Sequence, residues 1–244
     1  MISLETEHPV AIESPDHLCP HGCIRDNYPS IGLMSEVSEY FEDKQIVMID
    51  LGCAGGQFVV DFIKQGDIGI GLEGSSHVLN GEGKSNWKKY HNKNLFFCDI
   101  TEDYQLFLNN EPLKADFIHS EEVFEHISED KINSLLRNIK KHLKEDGICA
   151  FGISLVPDIQ VRDANGNNVE PPYDENDTTL KFYKLHQSVF PAEWWKNKLE
   201  NNGFEILNNG RNDENHFGYI FNNTVRWDYP GSAYFCCKLK NVDE

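Results

Sequence analysis

Apolar and polar residues fall into blocks whose period switches repeatedly along the middle of the chain. Val47, Met48, Ile49 and Leu51 around Asp50 predict a buried strand, and the break at Gly52, Gly55 and Gly56 leads into 57–64, where apolar positions recur at helical spacing. Further strands are predicted over 68–73, 95–98, 115–120 and 148–154. A long helix opens at Ser128, Glu129 and Asp130, runs with Ile132, Leu135, Leu136, Ile139 and Leu143 in one stripe, and ends over 144–147. Before the first of these strands, Ile31, Met34, Val37, Tyr40 and Phe41 share one face of a helix with Ser30 as its cap. Alternation of strand and helix from 46 to 154 demands a parallel sheet covered on both faces. Ligands of such sheets sit at the carboxyl ends of the strands, where Gly52, Glu73, Asp99 and Ser120 fall.

The flanks are patterned differently. Residues 1–30 carry little periodicity and several prolines, and are expected to form an arm over the pocket. Residues 157–184 are polar and turn-rich, with a hairpin signal at Asn165 and Gly166, as expected of an insertion at the pocket mouth. A helix from about Phe190 to 201–203, a strand over 204–207, a polar excursion over 208–230 and a strand over 232–239 complete the chain. At 244 residues this is one domain: arm 1–30, ligand-binding core 45–154, lid insertion 155–190, and C-terminal helix with edge strands 191–244.

A formal net charge of -18 argues against a large nucleic-acid footprint, since phosphate binding needs clustered Lys and Arg, and points to a small, neutral or cationic partner. No apolar run reaches the length of a membrane span, so a cytoplasmic location with no membrane partner is expected. Seven cysteines, several inside predicted strands, fit reduced core thiols. Cys19, His21 and Cys23 could form half of a zinc site, but no second pair stands at the matching spacing.

The glycine loop lets a ligand lie against bare backbone at a helix N-terminus. It departs from the dinucleotide pattern, because Ala54 stands where a second glycine is required. Glu73, at a strand end about 20 residues on, can accept both hydroxyl protons of a ribose. Asp50-Leu51-Gly52-Cys53-Ala54-Gly55-Gly56 resembles the first motif of class I S-adenosylmethionine (SAM) methyltransferases. The resemblance spans roughly 45–207 and implies a Rossmann-like, doubly wound α/β fold with a mostly parallel seven-stranded sheet that ends in antiparallel strands. It implies SAM contacts from Asp50, Gly52, Cys53, Ala54, Gly55, Gln57, Phe58, Glu73, Gly74, Asp99, Ile100, Ser120 and Glu121, with Asp99 receiving the adenine amino group and Ile100 flanking the ring. Asp99 can instead be read as the cap of a helix starting near Thr101.

Methyl transfer to a hydroxyl needs a base, and His186, at the end of the insertion, is the expected one. Glu122, Glu125 and His126, joined by His186, resemble the Mg²⁺ or Mn²⁺ ligands of the ubiquinone-pathway and small-RNA methyltransferases, and their spacing would put the first three on one helical face. The same Glu-His pair occurs in metal-free relatives. Pro20, Gly22, Asp26 and Asn27, the phrase 72–75 and the segment 186–195 resemble a bacterial or phage-type domain found among sugar-modification genes. The expected activity is SAM-dependent methylation of an oxygen on a small molecule or saccharide. An NAD-dependent dehydrogenase or epimerase and a non-catalytic SAM-binding domain are the alternatives; the former is disfavoured by Ala54 in the glycine loop.

Overall fold

The computed structural model describes residues 1–26, 31–207 and 231–240. The chain opens with β1 (Ile2–Thr6) and the short α1 (Pro15–Leu18), then continues through α2 (Ile31–Tyr40), β2 (Val47–Leu51), α3 (Gln57–Gln65), β3 (Ile68–Glu73), α4 (Lys84–Tyr90) and β4 (Leu95–Phe97). The hairpin of β5 (Tyr104–Leu108) and β6 (Glu111–Pro112) leads to β7 (Ala115–Glu121), α5 (Glu129–His142) and β8 (Leu143–Ser154). A ribbon of β9 (Ile159–Arg162) and β10 (Lys181–Lys184) precedes α6 (Ala192–Asn201), β11 (Phe204–Ile206) and β12 (Ser232–Leu239).

Seven strands form the main sheet in the order β11-β12-β8-β7-β2-β3-β4. The five from β8 to β4 are parallel, β12 runs antiparallel to β8, and β11 runs antiparallel to β12. The period of two along each strand divides its side chains between two cores. Ile49, Leu51, Ile118 and Phe151 join Ile132, Leu135, Leu136, Ile139, Trp195 and Leu199 on the α5 and α6 side. Met48, Phe117 and Ala150 join Val37, Phe58, Val59, Phe62 and Trp87 on the side of α2, α3 and α4. Burial on both faces explains why the strands are near-continuous apolar runs rather than alternating ones.

Three local expectations are corrected. No helix starts near Thr101: Asp99 Oδ1 accepts from the Thr101 amide at 3.0 Å and hydroxyl at 2.6 Å, and the chain continues as β5, paired with β1. The first residues are thus a strand, with Ile2 and Leu4 packed against the core. Helix α5 stops at His142, where Leu143 turns extended; the His142 ring points inward, its Nδ1 meeting the Asn138 carbonyl at 2.9 Å and its Nε2 accepting the Leu106 amide at 3.2 Å. Finally, Glu122, Glu125 and His126 do not share a helical face. Glu122 holds a left-handed φ of 53°, and only a single 3₁₀ turn (Phe124–His126) follows. The Ser30 cap and the excursion over 208–230 lie outside the described residues.

Candidate functional site

At the carboxyl ends of β2, β3 and β7, and beside the turn after β4, lies a cavity of about 830 Å³. The arm covers it through four tethers. Asp99 donates its amide to the His8 carbonyl at 2.9 Å, and Ala11 donates to the Gly74 carbonyl at 2.9 Å. Asp16 pairs with His126 Nδ1 at 2.8 Å, and the Asp26 carboxylate accepts the Gln57 amide, the first of α3, at 3.0 Å. The side chain of the residue before a helix ordinarily caps a first-turn amide, at the second or third position. Gly56 stands there with φ 79° and no side chain to offer, so Asp26 supplies the acceptor from 31 residues away. Gly55 is what admits it, since a Cβ there would collide with the Asp26 carboxylate.

Of the expected cofactor contacts, Gly52, Ala54, Glu73, Gly74, Asp99, Ile100 and Glu121 line the cavity. Asp50, Cys53, Phe58 and Ser120 lie behind it in the buried layer; Asp50 pairs with His119 Nδ1 at 2.8 Å and Phe58 packs on the same ring. Gly55 and Gln57 sit under Asp26. Ala54 adopts φ 45°, which costs a non-glycine residue about 1–3 kcal/mol and persists only when its surroundings hold it. Two bonds do so: its amide donates to Glu73 Oε2 at 2.9 Å, and its carbonyl accepts the Trp87 indole N–H at 2.8 Å. Glu73 Oε1 accepts the Ser75 amide at 2.8 Å. Burial raises this carboxyl to about 7, against the pull of those two amides.

The far wall is sewn together by backbone bonds. The Glu125 carbonyl accepts the Gln187 amide at 2.7 Å and the Ser188 amide at 2.9 Å, while the Asp158 carbonyl accepts Leu185 at 2.9 Å. His186 is thereby brought against His126, ring centroids 4.7 Å apart. Both rings line the cavity, as does Glu122. Carbonyls only accept, so the 2.5 Å contact of His186 Nδ1 with the Val156 carbonyl puts its proton on Nδ1 and leaves Nε2 bare. Burial and the neighbouring His126 hold His186 below its ordinary pKa. His126 behaves oppositely: burial opposes its charge, but the hydrogen bond and charge of Asp16, with Glu125 and Asp158, lift it to about 9. Below them Glu125 is fully buried, its Oε1 accepting the Ser154 amide at 3.1 Å and its Oε2 without a partner, and burial raises it to about 8. Ligand atoms of Glu125, His126 and His186 lie within 4.8 Å of one another, with Glu122 outside this group. Cys19 and Cys23 turn to different partners, the Arg162 guanidinium and the Asp16 carbonyl.

Sequence reasoning missed Asp16 and Asp158, and singled out Asp26 only within the arm motif, without its bond to the start of α3. Among the described residues no helix is long and apolar enough to cross a membrane.

A family model described as a methyltransferase domain matches residues 29–209. No curated protein matches the chain in sequence. Similar solved structures include a SAM-dependent methyltransferase from Clostridium acetobutylicum ATCC 824, at 15% identity and TM-score 0.56, covering 88% of this chain and 94% of that one. A TehB-like SAM-dependent methyltransferase from Corynebacterium glutamicum aligns at 15% identity and TM-score 0.53, covering 86% and 89%. The glycopeptide N-methyltransferase MtfA complexed with sinefungin aligns at 13% identity and TM-score 0.51, covering 90% and 97%. These likenesses carry the fold, and the family match spans most of the chain, glycine loop, Glu73 and Asp99 included. The chain therefore belongs to the methyltransferase-domain family and is a class I SAM-dependent methyltransferase.

Proposed function

We propose that this enzyme methylates a hydroxyl oxygen of a small molecule or saccharide, with His186 as the base. The observation that carries this is the state of the His186 ring: neutral, its Nδ1–H fixed on the Val156 carbonyl, and its bare Nε2 on a ring at the cavity wall. A proton acceptor for a hydroxyl must be unprotonated at working pH and within hydrogen-bond reach of its substrate.

The residues present fit SAM. The cavity volume suits a nucleoside carrying an amino acid. Each Glu73 oxygen accepts one amide and keeps a second lone pair, so both ribose hydroxyls find an acceptor. Asp99 Oδ1 is occupied by Thr101, which leaves Oδ2 for an amino group, with Ile100 beside it. Bound SAM would supply an electrophilic methyl on a sulfonium, with S-adenosylhomocysteine as the leaving group. The protein's own work is then to hold the acceptor against that methyl, exclude water with the arm, and take the hydroxyl proton on His186 Nε2. His126, kept cationic by Asp16, places a positive charge where the oxygen becomes negative.

The test is a panel of hydroxyl and amine acceptors, with S-adenosylhomocysteine release as the readout. Release with hydroxyl acceptors is expected to fall at least about 100-fold in His186→Gln, with S-adenosylhomocysteine affinity unchanged by calorimetry. Turnover of amines alone, or an unaffected variant, would overturn it.

A divalent cation held by Glu125, His126 and His186 is the alternative, favoured by the convergence of their ligand atoms and by the unpartnered Glu125 Oε2. Both imidazoles have Nδ1 engaged, by Asp16 and by the Val156 carbonyl, which is how ligating histidines are commonly oriented. Such an ion would lower the pKa of a vicinal diol. Electron paramagnetic resonance of added Mn²⁺ tests this: binding lost in Glu125→Gln supports the ion, and no binding at millimolar Mn²⁺ excludes it.

A further inference from the structure

The β9–β10 ribbon carries a charge arrangement that runs against the rest of the molecule. Arg162 and Lys181 are direct cross-strand partners, so their side chains leave the same face side by side. Like charges in that position destabilise a pair of strands. The chain holds 40 acidic residues against 22 basic ones, yet among the described residues neither side chain meets a carboxylate. Arg162 spends Nε on Cys19 Sγ at 3.3 Å and points Nη1 at the Gly166 carbonyl at 3.4 Å, leaving Nη2 unused. Neighbouring Asp163 is consumed by its own turn, through the Asn165 and Asn167 amides at 2.8 Å each and the Asn167 side chain at 2.9 Å. The two cations line a second cavity of about 520 Å³, between the arm at Leu18 and Pro20 and the ribbon, with Tyr183 on its wall.

A concave site with a guanidinium, an ammonium and a phenol, and a carboxylate already satisfied elsewhere, is built for an anion. Its place on the ribbon says which one. Asp158, Gln160 and Arg162 alternate along one face, joined by the bond from Gln160 to Asp158 Oδ1 at 3.1 Å. Asp158 lines the reaction cavity at one end of that face, and Arg162 lines the second cavity at the other. Four residues of extended chain separate them, about 13 Å.

We infer that this second cavity is a subsite for the anionic group of the acceptor, phosphate in class, which makes the acceptor a phosphorylated saccharide or nucleotide sugar. This rests on the hydroxyl-methylating function proposed above. The acceptor's hydroxyl lies at His186 while its phosphate lies between Arg162 and Lys181, and the global negative charge rejects anions that miss this patch.

The test follows the arginine Nε–Hε resonances of ¹⁵N-arginine-labelled protein during titration with inorganic phosphate and, separately, glucose 1-phosphate and glucose. Arg162 is assigned by its absence in Arg162→Gln. Its resonance is expected to move saturably with both phosphates, to ignore glucose, and to need about tenfold more ligand in Lys181→Gln. No movement, or an identical midpoint in Lys181→Gln, would overturn the site. Movement with inorganic phosphate but not glucose 1-phosphate would mean a free-ion site and overturn its assignment to the acceptor. Calorimetry with S-adenosylhomocysteine accompanies each variant and is expected to be unchanged. If the wild type binds no S-adenosylhomocysteine, the methyltransferase function fails while the Arg162 readout still decides the anion site.

Discussion

His142 shows how far a single buried side chain sets the response of this fold to acid. Its ring stacks on Tyr104 at a centroid distance of 4.6 Å, accepts the Leu106 amide on Nε2, and so ties α5 to β5. Burial holds its pKa down at about 4, from 6.5. Between pH 6.5 and 4 the unfolded chain takes up a proton that the folded chain refuses, so stability is lost as pH falls through that window, by up to about 3 kcal/mol. Glu73 works with the opposite sign between 4.5 and about 7, because its folded pKa is raised. The comparison of urea unfolding in wild type and His142→Gln at pH 7 and 4.5 isolates the histidine: the variant is less stable at pH 7, and the gap narrows at pH 4.5. A gap of the same size at both values would mean the ring is charged in the fold. Residues like these divide sharply in how legible they are. Gly52, Glu73 and Asp99 were readable because each follows a strand whose period announces it. The bonds of Asp16 and Asp26 were not, because their partners His126 and Gln57 lie 110 and 31 residues away and no periodicity links arm to core.

Among elements, the five parallel strands and α5 were plain in the sequence because both sheet faces bury and one helix stripe buries. β1 and β5 were not, since each finds its pattern only in the other: Ile2 pairs with Leu108 and Leu4 with Leu106. The segment after Asp99 looked helical until that partner was in place. The arm was expected to act as a cover, and its tethers show how that is tested. Amides of Ala11, Asp99 and Gln57 all take part in bonds between arm and core, and the first two lie in residues that line the cavity. Opening of the arm must break them, so their hydrogen exchange reports that opening. S-adenosylhomocysteine is expected to slow exchange at all three by about tenfold or more at saturation, while strand amides deep in the sheet, such as Ile49, change little. Asp26→Ala removes a helix cap and should speed Gln57 exchange, at a stability cost of about 1 kcal/mol. Uniform slowing across the whole chain would mean that the ligand stabilises the fold globally without the arm acting as a cover.

For the whole molecule the dominant fact is its net charge of -18. The field this creates converges on a cavity walled by Asp16, Glu73, Asp99 and Glu122. SAM and S-adenosylhomocysteine probe that field cleanly, because they differ by a methyl group and by the positive charge of the sulfonium. If the acids attract the cofactor over distance as well as by contact, the attraction is screened by salt, and only the charged sulfonium carries the difference. Raising NaCl from about 20 mM to about 0.5 M shortens the Debye length from roughly 20 Å to about 4 Å, and should weaken SAM by about two- to fivefold more than S-adenosylhomocysteine. Calorimetry without acceptor measures both. The two curves would run parallel if bound protons already neutralise the cavity, which the raised pKa of Glu73 makes a real competitor near pH 6. At pH 8 that carboxyl is ionised and the divergence should be largest. A salt dependence that differs between the two ligands at pH 8 and converges at pH 6 would therefore tie cofactor discrimination to the ionised Glu73, and with it to the strand end that the sequence marks.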